Sequence, residues 1–372
     1  MKRILVSPLS WGLGHATRTI PIIHYLRERG HHVTVAACRR PLTLLKRACP
    51  ECDFVEMLDY PLVYSTSRQY WIRFFGLAPM LMGWVERERV RVERLLRKRR
   101  FDMIFSDNRF NVRSPYIPSF VMIHQLCLMP PVELYRSKHG GKLEPLQPLM
   151  ELYNAAMLRP FDRIIVPDYA DPKRNLTGRM SHGLKYYNPR SLYYAGILAN
   201  IRRMDVPEDV DIFISISGPE PQRTALERVV LSQVERLPDR RIEITLGKPE
   251  ARDVRHIGRR ITVHGFLDRE AQQEMLNRAR LVVCRSGYTT IMELAELGKK
   301  ALITPTPGQP EQEYLAMFLQ DRGYFHAVTQ YNLDLVRDVE LARKTTGIPF
   351  RANTRADVER LYEDLFAPVL DC

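Results

Sequence analysis

Short β-branched runs alternate along this chain with longer stretches in which apolar residues recur every three to four positions. In the first half, Arg3–Ser7, Val33–Ala37, Asp53–Leu58, Asp102–Asp107, Phe120–Gln125 and Arg163–Pro167 predict strands. In the second half, the same reading predicts strands at Asp211–Ser217, Arg241–Leu246, Ile261–Phe266, Leu281–Arg285, Lys300–Pro305 and Phe325–Thr329. Amphipathic stretches such as Arg269–Arg278 and Thr289–Leu297 intervene and predict helices. Strands that are apolar almost without interruption belong to parallel sheets covered on both faces. The expectation is therefore two doubly wound α/β domains. The polar segment Gly196–Asp209 marks the boundary, giving a first Rossmann-like domain over 1–198, a second over 199–352 and a terminal helix within 353–372.

The composition changes this picture little. The chain has 372 residues, 45% hydrophobic and 27% charged, which suits two globular domains of roughly 150 residues or more and excludes disorder, collagen and coiled coil. No apolar run reaches the ~18–20 residues that span a bilayer. The start, MKRILVSP, reads as a buried strand and not as a signal peptide, so the expected location is cytoplasmic. The cysteines at 38, 49, 52, 127, 284 and 372 include one CxxC pair, Cys49 and Cys52, without a second pair at zinc spacing. They read as free thiols, and no metal site is expected.

Charge is more informative. Residues 1–200 carry 31 Lys and Arg against 16 Asp and Glu, a net of +15, while residues 201–372 carry 25 against 27, a net of −2. The first half is thus expected to meet something anionic. Of the basic residues 45 are Arg and 11 are Lys. Arg is the better bidentate phosphate partner, although a GC-rich genome produces the same bias. Around residues 60–100, Trp71, Phe74, Phe75, Leu81 and Trp84 precede a dense Arg run. Either these aromatics are domain core beside a solvated helix, or the segment docks peripherally on the inner face of an anionic membrane.

Ligands of open α/β sheets bind beyond the carboxyl ends of strands. The first strand runs into SPLSWGLGHATR, where Gly12 and Gly14 let backbone approach a ligand, and His15 and Arg18 bring a titratable ring and a cation to the acceptor side. Asp107 ends the strand FDMIFSD and either orients His15 or caps a turn; His124 ends the strand SFVMIH on the same rim, as an acceptor contact or as a satisfied rim histidine. In the second half, ISISGPEPQRT repeats the strand, turn and helix logic with Ser217, Gly218, Gln222 and Arg223. The strand LVVCR ends in Ser286 and Gly287, and Tyr288, Thr289 and Thr290 open a helix. Glu293 follows one turn later, on the face of both threonines, where a carboxylate suits the two hydroxyls of a ribose. The loop after ALITP carries Gln309, Glu311 and Gln312, with Glu313 beside them, a set of groups that suits sugar hydroxyls.

These motifs (GLGHATR, SGPEPQRT, VHGF and RSGYTTIMELAELGKKALITPTPGQPEQEYLA) resemble those of GT-B nucleotide-sugar glycosyltransferases, specifically the family 28 branch that includes the MurG-type enzymes. The resemblance implies two Rossmann-like domains facing across a cleft, with acceptor on the first and donor nucleotide on the second. It also implies that the helix Thr354–Phe366 crosses back to the first domain. By the same resemblance Glu293 is the ribose ligand, and Ser286, Gly287, Thr289 and Thr290 form the diphosphate turn. Phe266 and Leu267 meet the uracil, Gln312 contacts the donor sugar, and His15 with Asp107 forms a His–Asp dyad. The single GLGH and the SGPEPQRT turn depart from the peptidoglycan enzyme and point to its relatives.

The expected activity is an inverting, metal-independent transfer of a hexosyl or N-acetylhexosaminyl group from a UDP-sugar to a hydroxyl of a lipid or lipid-linked acceptor. The nucleotide sugar is a substrate, and no cofactor is expected. The string Asp209–Val210–Asp211 looks like a metal-binding DxD but sits at the wrong end of a strand. A nucleotide-sugar hydrolase is the alternative, since one such hydrolase, in pseudaminic acid synthesis, also carries a GxGH loop followed by Arg. A nucleic-acid-binding module finds no supporting motif, and nucleic acid is not an expected partner.

Overall fold

The computed structural model describes residues 1–57, 78–129, 146–238 and 240–371. Trp71, Phe74 and Phe75 lie outside them. The chain divides into two compact units, one holding the described residues up to Leu128, those from 146 to Asn200 and the tail from Asn353, the other holding Ile201–Ala352.

In the first unit the strands are β1 (Arg3–Pro8), β2 (His32–Ala37), β3 (Asp53–Glu56), β4 (Met103–Asp107), β5 (Ser119–Met122), β6 (Arg163–Val166) and β7 (Leu192–Tyr194). They pair in parallel in the order β3-β2-β1-β4-β5-β6-β7. Strands β1, β4 and β5 are buried almost throughout, which is why no polar alternation shows in their sequences. The order reverses between β1 and β4, whose register sets Pro8 beside Asp107. The terminal segment starts as the helix Thr354–Leu361 and widens into a π turn over Tyr362–Phe366. Its Val358, Leu361, Tyr362, Phe366 and Leu370 join the core formed by Ile4, Ile20, Ile23 and Phe120.

In the second unit the strands are β8 (Val210–Ser215), β9 (Ile242–Thr245), β10 (Val254–Ile257), β11 (Ile261–His264), β12 (Ala279–Cys284), β13 (Lys300–Ile303) and β14 (His326–Ala327), in the order β10-β11-β9-β8-β12-β13-β14. All pairs are parallel except β10 with β11. The reversal here lies between β8 and β12. Two strands escape the sequence pattern: β7 spans three half-buried residues, and β10 is almost wholly exposed. The run Phe325–Thr329 contracts to the two-residue β14 at a sheet edge.

Both sheets are doubly wound, and in each the switch point coincides with the motif-bearing turns. Pro8 and Asp107 end the switch strands of one unit, and Ser215 and Cys284 end those of the other.

Candidate functional site

In the first unit, β1 leads through the exposed Gly12 into the helix Gly14–Glu28, so His15 lies in the helix's first turn. Its Nδ1 lies 3.0 Å from Asp107 Oδ1. Arg18 comes to the same carboxylate: Nε donates to Oδ2 at 2.6 Å, and Nη2 donates to Oδ1. Arg18 Nη1 also lies 2.8 Å from His124 Nδ1, and Nη2 lies 3.1 Å from His15 Nδ1. The assignment that uses the Asp107 charge gives His15 a proton on Nδ1, donated to the carboxylate, and leaves Nε2 as the basic nitrogen. Burial alone would push the Asp107 carboxyl up, but the neighbouring Arg18 and His15 outweigh it and hold it well below the carboxylate range.

The structure decides two sequence readings here. Arg18 is not an open cation at a crevice; it is 2% exposed and tied to Asp107. His124 is likewise buried, with Arg18 as its partner. His15, at 15% side-chain exposure, is the member of this group that meets solvent, beside the exposed turn at Gly12 and the half-buried Gly14.

In the second unit, two turns sit at the switch strands. Ser217 and Gly218 are exposed and precede the helix Gln222–Leu231; Gly287 precedes the helix Tyr288–Leu297. At the first of these helices Glu220 Oε2 accepts from Thr224 N at 3.3 Å, whereas Tyr288–Leu297 has neither a side-chain cap nor an acid in its first turn. By contrast Asp268, Asp334 and Asn353 cap the helices that follow them. An uncapped N-terminus presents free N–H groups and partial positive charge, which suits a phosphate. One turn into Tyr288–Leu297, the buried Glu293 pairs with Arg269 Nη2 at 2.8 Å, a partner on the preceding helix that sequence reading missed. Thr289 and Thr290 are half-buried in the first turn.

Several predicted donor residues turn inward. Tyr288 is 2% exposed and belongs to the core. Ser286 is fully buried and its hydroxyl donates to the Gln312 carbonyl at 2.8 Å. Gln312 in turn accepts from Thr306 N at 2.9 Å and donates to Gln309 Oε1 at 2.5 Å. Gln222 Oε1 accepts from Gln330 Nε2 at 2.7 Å, and Arg223 is spent on Glu220 and the Leu246 carbonyl. Glu311 sits half-buried in the first turn of the helix Pro310–Asp321. Phe266 and Leu267 follow β11, both half-buried, with the exposed Arg252 guanidinium 5.1 Å from the Phe266 ring centre. Asp209 and Asp211 are taken by Arg241, Arg278 and Arg280.

Two doubly wound units, each carrying its glycine turns at the switch point, define a GT-B glycosyltransferase fold. Residues 221–357 match the glycosyltransferase family 28 C-terminal domain. An uncharacterized glycosyltransferase of Methanosarcina acetivorans is 22% identical over 342 residues, covering 87% of this chain and 84% of that protein. The UDP-N-acetylglucosamine--N-acetylmuramyl-(pentapeptide) pyrophosphoryl-undecaprenol N-acetylglucosamine transferase of Histophilus somni is 38% identical over 66 residues, 18% of each chain. Among solved structures, Acinetobacter baumannii MurG superposes with a TM-score of 0.59 at 15% identity, covering 98% of this chain and all of that one. This chain is a glycosyltransferase whose residues 221–357 carry a family 28 C-terminal domain.

Proposed function

We propose that the enzyme transfers a sugar, with inversion and without a metal ion, from a UDP-sugar to an acceptor hydroxyl on a lipid or lipid-linked molecule. The observation that carries the donor half is Glu293, a buried carboxylate one turn behind an uncapped helix N-terminus that follows the switch strand β12. The N–H groups of that terminus receive the diphosphate, and Glu293 receives the ribose hydroxyls. His15 Nε2 takes the acceptor proton as the hydroxyl oxygen bonds to the anomeric carbon; the bond from that carbon to the phosphate oxygen breaks, and nucleoside diphosphate leaves. Charge on the leaving group is met by helix dipoles and N–H groups, so the mechanism asks for no metal. The uracil preference is supported by the Histophilus somni relative, whose name specifies a UDP-sugar.

The acceptor half rests on the helix Ala78–Lys98. Arg87, Arg91, Arg94 and Lys98 are exposed at helical spacing along one face, while Glu88 and Val92 are buried. Such a basic face suits an anionic membrane surface. Among the described residues no helix is long and apolar enough to cross a membrane.

The test is a thermal-shift panel of UDP, GDP, dTDP and ADP on wild type and Glu293→Ala. A ligand at ~100 times its Kd adds about 2.7 kcal/mol, a shift of several degrees. A UDP shift that the substitution abolishes supports the donor site; the absence of any nucleotide shift overturns it. Turnover with EDTA, the anomeric configuration of the product, and release of nucleoside diphosphate with and without acceptor then separate inverting, metal-free transfer from hydrolysis. Pelleting with anionic liposomes at low salt tests the membrane contact.

A further inference from the structure

Arg285, at the end of β12, is 3% exposed and uses all its donors on neutral oxygens. Nε donates to the Ser217 carbonyl at 3.3 Å; Nη1 to those of Thr304 and Pro305 at 3.4 and 3.0 Å; and Nη2 to the Gln222 carbonyl and Gln330 Oε1 at 3.0 and 2.8 Å. Among the described residues no carboxylate is a partner of it. The guanidinium therefore ties together the loops after β8 and β13 and the segment beyond β14, and leaves its positive charge uncompensated. Burial pulls it down to about 10. The hydroxyls of Thr304 and Thr306 are buried without a hydrogen-bond partner among the described residues. Thr306 is the informative one: a Cβ built on Gly218 would lie 3.6 Å from its Oγ1 and 3.8 Å from Arg285 Nε. A side chain at 218 would cover both groups, whereas glycine leaves the approach open.

A buried cation without an anion, next to a buried hydroxyl without a partner, is costly unless a ligand completes it. We propose that Gly218, Thr306 and Arg285 form a phosphoryl subsite of the donor site. Thr306 Oγ1 donates to a phosphoryl oxygen, and Arg285 acts as a positioning residue that supplies counter-charge through space while holding the turn. The inference rests on the donor-site reading above and adds which groups read the diphosphate apart from the helix N–H groups.

The experiment compares UDP, uridine and inorganic pyrophosphate by calorimetric titration of wild type, Thr306→Val, Arg285→Gln and Arg285→Lys. Thr306→Val removes a hydroxyl that holds no bond in the unliganded protein, so the fold should be unaffected. Affinity for UDP and pyrophosphate should fall about tenfold while that for uridine stays unchanged. Arg285→Gln should lose at least about tenfold for the diphosphates only, and Arg285→Lys, which keeps the charge and loses the fork, should recover part of that loss. If Arg285→Gln does not fold, Thr306→Val decides alone. Wild type that binds none of the three overturns the donor-site reading together with this subsite. Wild type that prefers UDP to uridine, with folded variants that keep the same preference, overturns the subsite alone.

Discussion

Arg18 reaches Asp107 with two nitrogens, Nε at 2.6 Å from Oδ2 and Nη2 at Oδ1, and both residues are buried. The carboxylate that orients His15 is thus itself held by a buried cation, which offsets part of the charge it could set against an imidazolium. Arg18→Met leaves the buried Asp107 with His15 but without its buried cation and is expected to cost up to about 3–5 kcal/mol. The folded-state carboxyl titrates below its unfolded value, so the stabilisation is fully present above the unfolded pKa of ~3.9 and is lost as pH falls through the folded one. Acid unfolding of wild type should therefore set in only below about pH 4 from this group, and Arg18→Met should move the transition to higher pH. Equal acid midpoints, read by circular dichroism, would show that the pair does not govern acid stability.

His15 is the solvent-facing member of that group, and the proposed mechanism gives it a chemical role. His15→Gln is expected to lower kcat by about 10²–10⁴-fold with the nucleotide thermal shift retained, because the proposed nucleotide residues lie in the other unit. A variant that keeps wild-type turnover would remove His15 from the mechanism. One that loses nucleotide binding too would place it on the donor instead.

Glu293 and Arg269 form a 2.8 Å ion pair in which the arginine is 29% exposed and the carboxylate 5%. Removing the carboxylate leaves a cation that water can reach, so Glu293→Ala should change stability by only about 1 kcal/mol. Its effect on nucleoside diphosphate affinity should be larger, about 10–100-fold, through two lost hydrogen bonds to a charged group. Urea unfolding and titration on the same sample separate the two, and a large stability loss with unchanged affinity would assign Glu293 to the fold alone.

How much of this was legible in the sequence depended on whether a residue's role was local. The switch-point turns announced themselves because glycine, a strand end and a helix start are adjacent in the chain; that placed Gly12, His15, Gly218, Gly287 and Glu293 correctly on their elements. Partnerships across the sheet were less visible. His15 with Asp107 was accessible because both end neighbouring strands or their turns, but Arg18 read as an open cation, since nothing in HATR says which face of the helix it occupies. Arg285, Arg269 and Gln330 were missed for the same reason: their partners lie tens of residues away in other loops. A charged residue closing the apolar run LVVC was the available signal for Arg285. The edge strands β7 and β10 were missed because half-buried and exposed strands carry little hydrophobic pattern.

Gly196 and Asp357 fix the terminal helix to the first unit. Asp357 Oδ2 accepts from Ile197 N at 2.9 Å and from the Tyr169 hydroxyl at 2.8 Å, and Oδ1 accepts from Arg360 at 2.7 Å. The carboxylate reaches these partners because residue 196 has no side chain: a Cβ there would lie 2.4–2.5 Å from Asp357 carboxylate atoms, and its φ is +84°. Gly196→Ala should therefore cost more than the ~1–2 kcal/mol of left-handed backbone alone. Asp357→Ala should cost at least about 1–3 kcal/mol by stranding a buried N–H and a hydroxyl. Because the first penalty is partly a clash with the group that the second removes, the double variant should be destabilised by less than the sum. Additive values in urea unfolding would mean that the helix retreats from Gly196 without loss, and that its buried Val358, Leu361, Tyr362 and Phe366 alone hold it in place.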